Sequence, residues 1–335
     1  MNATAMNAST SSSHDVAPGE ELLSVANVTL RFGGVTAIQD ISFDIIKGEV
    51  RAIIGPNGAG KTSMLNVING FYHPQEGTIR FRGETRTKMK PYEAAASGIA
   101  RTFQNVALFT GMSTLDNIMS GRSLKMNQNF LTQMFYYGPA RNEEIAHRRR
   151  VEEIIDFLEI AHIRRQPVGK LPYGLQKRVE LGRALALEPA LVVLDEPVSA
   201  LDVSIQAGVL NLLTDLRRRL GLAYVMVAHD LAVVRRTADR VAVMNLGVIV
   251  ETADTQALFT SPRHPYSRAL LSGEGTAETY LAEAMSAKKR KELRRQHARL
   301  AEEGALSFER LAGGEDLASW TNEFLALEAA GWKGM

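Results

Sequence analysis

Cysteine is absent from the 335 residues. That excludes structural disulfides and thiolate metal sites, and it is compatible with a reducing compartment. No excess of one charge sign is present either. The formal net charge is +2, so no global field draws the chain to nucleic acid or acidic lipid. Long apolar runs are missing as well. Ala190–Leu194 and Leu222–Ala228 are among the longest, far short of the roughly 20 residues a spanning helix needs. Met1–Glu20 is rich in Ser, Thr, Asn and Ala. It has no basic n-region and no apolar h-region, so it does not read as a secretory signal. A disordered leader over 1–20 is expected instead, with the rest cytoplasmic and any membrane contact made through a partner. There is no internal repeat. What remains is ordinary globular composition, 45% hydrophobic and 23% charged, enough for a sizeable core.

Periodicity organises the chain. Leu22–Arg31 alternates as a half-buried strand does. Ile41–Ile45 and Val50–Ile54 read as strands separated by a Lys47-Gly48 turn, and Thr78–Phe81 and Ile99–Phe103 as two more. Lys61–Asn69 has helical spacing. About 104–189 reads as a helical subdomain, with Val151, Ile154, Ile155 and Leu158 on one face. Strand-length runs at Leu191–Leu194, Ala223–Val227 and Val241–Asn245 then alternate with helical patterns at Val203–Leu220 and Leu231–Ala238. That alternation predicts a parallel sheet covered on both faces, an α/β fold. After about Ser272 a Gly-containing linker leads to a basic helical pattern, Ala277–Leu300, and an apolar one, Leu317–Leu327. The expected division is a main α/β domain over 21–272 and a helical extension over 273–335.

Gly55-Pro56-Asn57-Gly58-Ala59-Gly60-Lys61-Thr62 fits G-x-x-x-x-G-K-[ST], between a predicted strand and a predicted helix. Its glycines let successive N–H groups face phosphate oxygens, and the helix dipole adds positive potential. Lys61 is expected at the β- and γ-phosphates, Thr62 on Mg²⁺, with Ser63 beside it. Leu191–Leu194 delivers Asp195 and Glu196 to the sheet rim. Asp195 suits Mg²⁺, and Glu196 suits a general base for an attacking water. These two motifs imply nucleoside triphosphate hydrolysis. They do not separate a transporter ATPase from a GTPase, helicase or kinase.

Further residues resemble one family. Leu171-Pro172-Tyr173-Gly174-Leu175-Gln176, followed by a helical run from Lys177, resembles the signature motif of ABC ATPases. His229 resembles that family's switch histidine, Gln104 its Q-loop glutamine, and Ser199-Ala200-Leu201-Asp202 its D-loop. Phe32 is placed like the family's adenine-stacking aromatic, with a buried core aromatic as the competing reading. The resemblance implies a P-loop NTPase (RecA-like) core, an antiparallel β subdomain and a helical signature subdomain. It implies ATP and Mg²⁺ as ligands. Glu196, His229 and Gln104 would be catalytic, and Thr62, Gln104 and Asp195 metal-binding. Phe32, the phosphate loop, Tyr173, Gly174, Gln176 and Asp202 would be nucleotide-binding. It further implies a second ATPase subunit completing each site, a homo- or heterodimer. Integral membrane permease subunits and, indirectly, a solute-binding protein would be the other partners, at the inner face of a bacterial plasma membrane. Pro172 departs from the usual serine and brings neither a hydroxyl nor an N–H.

The resemblance is not uniform. Leu22–Pro189 looks like the ATP-binding proteins of branched-chain amino acid uptake, where the Pro-Tyr-Gly-Leu-Gln signature also occurs. From Asp195 onward, including His264-Pro265-Tyr266-Ser267, the chain looks like the oligopeptide and dipeptide uptake ATPases. The segment from Phe324 to Gly334 weakly resembles part of a GNAT-like acyltransferase family, with no room for an acetyl-CoA site. A branched-chain amino acid importer is therefore the leading expectation. A peptide importer is the alternative within the class, and a soluble non-transport ABC ATPase the alternative outside it. Against the last, the chain has neither a long coiled-coil insertion nor a second nucleotide cassette. Nucleic acid is not an expected partner.

Overall fold

The computed structural model describes residues 19–86, 88–102, 107–126, 139–198 and 203–272, without the side chains of 139–141 and 203–205. The expected leader, most of the 1–20 range, lies outside the described residues, as do the C-terminal extension and its acyltransferase-like segment. So do Gln104 and Asp202.

Two sheets share one core. The first is antiparallel, in the order β2(Val35–Ile46), β1(Glu21–Phe32), β4(Glu76–Phe81), β5(Glu84–Arg86). The second runs β10(Val248–Asp254), β9(Arg240–Asn245), β3(Val50–Ile54), β8(Ala223–Val227), β7(Leu191–Asp195), β6(Ile99–Thr102). It is parallel except at β10, which pairs antiparallel with β9. Helix α1(Lys61–Ile68) contributes Met64, Leu65, Val67 and Ile68 to the core between the sheets. The two-residue period of the strands sorts the parallel sheet's side chains. Ile53, Leu191, Val193, Val225 and Val227 join that core. Val50, Leu194, Tyr224 and Met226 face the other way, onto a cavity of about 510 Å³ beside α6(Val203–Leu220) and α7(Leu231–Thr237).

The helical side holds α3(Thr114–Ser120), α4(Pro139–Phe157) and α5(Tyr173–Leu185). Val151, Ile155 and Leu158 are fully buried and Ile154 nearly so, as their spacing predicts. Asn117, also fully buried, donates to the carbonyls of Phe109, Met112 and Ser113 and accepts from the Phe109 N–H. These bonds knit the turn ahead of α3. Three short α-helices, α2(Pro91–Ser97), α8(Thr255–Thr260) and α9(Pro265–Ser272), and three single 3-10 turns, Ser123–Lys125, Ala161–Ile163 and Val168–Lys170, complete the described helices.

Some boundaries differ from the sequence reading. β2 begins at Val35, six residues ahead of the predicted Ile41. Its early part carries Thr36, Gln39 and Asp40, and apolar content does not mark it. Helix α5 begins at Tyr173, before the expected start at Lys177. Pro172 stands as its N-cap at φ −54°, where proline's fixed φ suits a helix start and its missing N–H costs nothing. Gly174 and Gln176 therefore lie in the first turns of a helix. Strands β5 and β10 and helices α2, α8 and α9 lie outside the elements that the periodicity predicts. β5 is a polar three-residue edge strand, and β10 is mostly half-exposed along its length.

Candidate functional site

Four elements of the parallel sheet and its loops converge at one edge. The phosphate loop joins β3 to α1. Gly55 sits at φ 150°, and a Cβ there would meet the Met244 carbonyl oxygen at 2.0 Å. Gly60, at φ 96°, would push a Cβ to 2.5 Å from the Ala37 carbonyl oxygen. Only glycine lets the loop press this closely on its neighbours. Inside the loop the Ala59 N–H donates to Pro56 C=O (3.2 Å), and the Gly247 N–H donates to Ala59 C=O (3.0 Å). Gly60 caps α1 without any side-chain bond. The helix's leading N–H groups are thus not closed by a side-chain cap, an arrangement suited to an anion.

Lys61 is buried, and its Nζ donates to Gly55 C=O (2.8 Å) and Pro56 C=O (2.7 Å). Burial pulls its pKa below the ordinary lysine value, against the upward pull of Glu196 and Asp195. Thr62 is exposed and Ser63 half-buried. Pro56, Asn57 and Gly58 carry the outer curve of the loop, with Asn57 and Gly58 exposed.

Asp195 ends β7, and its carboxylate is only 5% exposed. Arg101 Nη2, from β6, lies 3.1 Å from Asp195 Oδ2. Glu196 follows in the left-handed region at φ 49°, with its N–H donating to Val227 C=O (3.0 Å). This non-glycine conformation, at the point where two carboxylates leave a sheet edge, is a local strain. His229, just beyond β8, brings Nε2 to 2.9 Å from Glu196 Oε1. A carboxylate only accepts, so the tautomer with its proton on Nε2 fits this contact. Asp230 caps α7 by accepting from the N–H groups of Ala232 and Val233.

The structure brings Lys61, Asp195, Glu196 and His229 into one neighbourhood. Phe32, the last residue of β1, is 45% exposed and meets Tyr72 edge-to-face at 4.9 Å. The competing reading of Phe32 as a core aromatic is thereby overturned. Tyr173, Gly174 and Gln176 belong to a different place. Helix α5 packs mainly on α3, α4 and β6, whereas α1 packs on β2 and β7. The Gln176 side-chain amide donates to Leu171 C=O (2.8 Å), and Lys177 Nζ lies 5.8 Å above the Tyr173 ring.

Sequence reasoning assigns no role to Arg101, Asn66 or Tyr72. The one available signal was a cation inside an apolar strand, at Ile99-Ala100-Arg101-Thr102. Tyr72 is found only in three dimensions.

The donor set suits Mg²⁺, which takes one or two carboxylates and leaves its other positions to water and phosphate oxygens. A threonine hydroxyl and one aspartate meet that need. Among the described residues no cluster of three or more His, Cys, Asp or Glu side chains forms a metal cage, and none is needed for a cation held largely through its nucleotide. No described helix is long and apolar enough to cross a membrane.

Comparison with known proteins places this geometry. Residues 38–199 match the family described as ABC transporter. The high-affinity branched-chain amino acid transport ATP-binding protein BraF of Pseudomonas aeruginosa is 30% identical over 241 residues, 72% of this chain and 94% of that protein. The oligopeptide transport ATP-binding protein AmiF of Streptococcus pneumoniae is 36% identical over 263 residues, 76% of this chain and 81% of that one. Among solved structures, the ADP conformation of an ATP-binding cassette of an ABC transporter superposes with TM-score 0.65 at 29% identity, covering 76% of this chain and all of that one. Likeness of that extent, over a phosphate loop and carboxylate pair of this geometry, leaves one assignment: the chain belongs to the ATP-binding proteins of the ABC transporters, an ATP-binding and ATP-hydrolysing class.

Proposed function

We propose that the chain, through an ATPase domain at 21–272, drives an importer by forming one half of a two-subunit ATP site. The carrying observation is the Glu196–His229 contact of 2.9 Å beside Lys61 and Asp195. In this reading the glycine loop and Lys61 hold the β- and γ-phosphates. Thr62 and Asp195 hold Mg²⁺, with Gln104 contributing from outside the described residues. Mg²⁺, when bound, supplies neutralising charge at the phosphate oxygens. Glu196 takes the proton of a water attacking the γ-phosphorus as the bond to the ADP oxygen breaks. His229 steadies that carboxylate. Phe32 stacks on adenine. Tyr173, Gly174 and Gln176 serve the site of the partner subunit, and Asp202 links the two. Closure on ATP and opening after hydrolysis would then switch integral membrane permease subunits, fed by a solute-binding protein, from the inner face of a bacterial membrane.

Branched-chain amino acids are the solute class we favour. The first half of the chain, which includes the helical subdomain, has the sequence character of that branch, and BraF is matched over 94% of its length. The second reading, peptides, rests on the His264-Pro265-Tyr266 segment at the start of α9 and on the higher identity to AmiF, 36%. Capture of the permease from native membranes decides between them. A permease of the peptide type would overturn the first reading, and nucleic-acid-stimulated turnover without membrane association would overturn both. For the chemistry, Glu196→Gln is expected to cut hydrolysis by about 10²- to 10⁴-fold while nucleotide still binds and promotes dimers. Unchanged phosphate release would remove Glu196 from the mechanism.

A further inference from the structure

Asp195 is almost fully buried, and a buried carboxylate needs a partner. Its partner is Arg101, itself 9% exposed at the side chain. The guanidinium reaches three elements at once. One nitrogen, Nη2, is on Asp195 Oδ2 at 3.1 Å. The other, Nη1, donates to Asn66 Oδ1 on α1, the helix that the phosphate loop opens. The plane's central carbon stands 5.8 Å from the Phe71 ring, just beyond α1. Strand β6 carries Arg101 in register beside Val193 of β7, so the side chain spans from one strand to the end of the next. A planar fork held at both nitrogens fixes the carboxylate in a way a single flexible ammonium cannot.

We propose that Arg101 is a positioning residue for metal-dependent nucleotide binding: it holds Asp195 Oδ2 and ties it to the phosphate-loop helix through Asn66, leaving Oδ1 for the cation. This rests on the reading of Asp195 as a metal-holding residue. Groups that hold a metal ligand in place are commonly worth about 10- to 100-fold in metal affinity. The fork thereby joins the strand that ends in Asp195 to the helix that carries Thr62, the two elements that would hold the cation.

The test uses the full chain, a fluorescent ATP analogue and titration with Mg²⁺, reading equilibrium binding rather than turnover. Arg101→Met is expected to raise the half-saturating Mg²⁺ concentration about 10-fold or more, with analogue binding in chelator unchanged. Arg101→Lys should recover part of the loss, since an ammonium restores the charge but not both contacts. Asn66→Ala, which keeps the ion pair and removes the tie to α1, should give a smaller rise in the same direction. Wild-type Mg²⁺ dependence in folded Arg101→Met overturns the proposal. If that variant does not fold, wild-type dependence in both Arg101→Lys and Asn66→Ala overturns it equally. Asp195→Asn separates the layers. If it leaves Mg²⁺ dependence untouched, the metal assignment fails and the proposal falls with it. If it shifts that dependence while the Arg101 and Asn66 variants do not, the positioning role alone is wrong.

Discussion

Two helix N-termini in this molecule are built for comparison. Helix α1 starts behind Gly60 and helix α5 behind Pro172, and neither has a side-chain cap. Other helices differ: Ser113 accepts from the Asp116 N–H at α3 and Asp230 closes α7, while the short α8 is also uncapped but lies away from the site. The two open ends differ in how they are fixed. At α1 the backbone itself is wedged, Gly55 against Met244 and Gly60 against Ala37. At α5 the turn is secured locally, by Gln176 donating back to Leu171. The first end is a rigid cradle joined to the sheet. The second is a presented tip on the helical side. A cradle suits a ligand held within one subunit, and a presented tip suits one held by another.

Substitutions can break this contrast, and the largest effect belongs to the cradle. Lys61→Ala removes the one buried ammonium inside the loop. Hydrolysis should fall by about 10³-fold, in line with loss of a principal charge clamp on transferring phosphate. Nucleotide binding should fall with it, measured on the same preparation. Retained binding with wild-type turnover would show that the loop is not the phosphate site.

Gly55→Ala comes next. Its Cβ would sit 2.0 Å from a backbone oxygen that cannot swing away. Overpacking of this kind costs about 1–3 kcal/mol, visible as a lower midpoint in denaturant, together with loss of nucleotide binding. Gly174→Ala should separate the two ends most clearly. Gly174 is in the first turn of α5, where alanine is the better helix former by up to about 1 kcal/mol. Stability should hold or rise and nucleotide binding by the isolated subunit should persist. Turnover should fall on the order of tenfold to a hundredfold if the tip completes a partner's site, where small misplacements are costly. Unchanged turnover would reduce the α5 tip to an ordinary helix start.

The contrast also governs what could be read in advance. The cradle is legible because its geometry is local: eight consecutive residues, bounded by strand and helix, that combine glycines for the backbone with a lysine and a threonine for the phosphates and cation. β8 and α6 fall on their predicted ranges, because apolar runs and helical spacing are also local signals. Asp195 and Glu196 are visible as the carboxylates that close an apolar strand-length run. Of their partners, His229 is legible only through the family resemblance, and Arg101 has no role in the sequence reading. Arg101 reaches Asp195 across 94 positions, and His229 reaches Glu196 from the end of another strand. Pairings at that separation come from sheet order, which strand patterns alone do not state. The α5 tip is visible only by resemblance, since a proline and a glycine ahead of a helix have many ordinary uses. Its early start at Tyr173 is hidden because Pro172 reads equally as a turn residue or as a helix opener.

The smallest effect lies at the other end of α5. Helix α1 ends quietly, with the Asn69 side chain donating to Leu65 C=O. Just past α5, Glu188 gathers three cations: Arg122 at 2.9 Å, Lys125 at 2.7 Å and Arg150 at 3.1 Å. Arg122 also donates to Ala186 C=O and contacts His147. Burial alone would raise the Glu188 pKa, but the bonds from Lys125 and Arg122 win and hold it at about 2. A folded-state value below the ordinary 4.5 means that this carboxylate stabilises the fold above about pH 4.5. The contribution is lost as pH falls from there toward 2. Its side chain is 40% exposed, so screening limits the gain to about 1 kcal/mol. Glu188→Gln should therefore lower stability by about that amount at pH 7, with the difference from wild type closing at low pH and shrinking in high salt. Because the cluster joins the end of α5 to the segment after α3 and to α4, the loss should register first in amide exchange on the helical side, with the phosphate loop unchanged. Equal loosening at both ends would mean that the cradle and the tip are one cooperative unit after all.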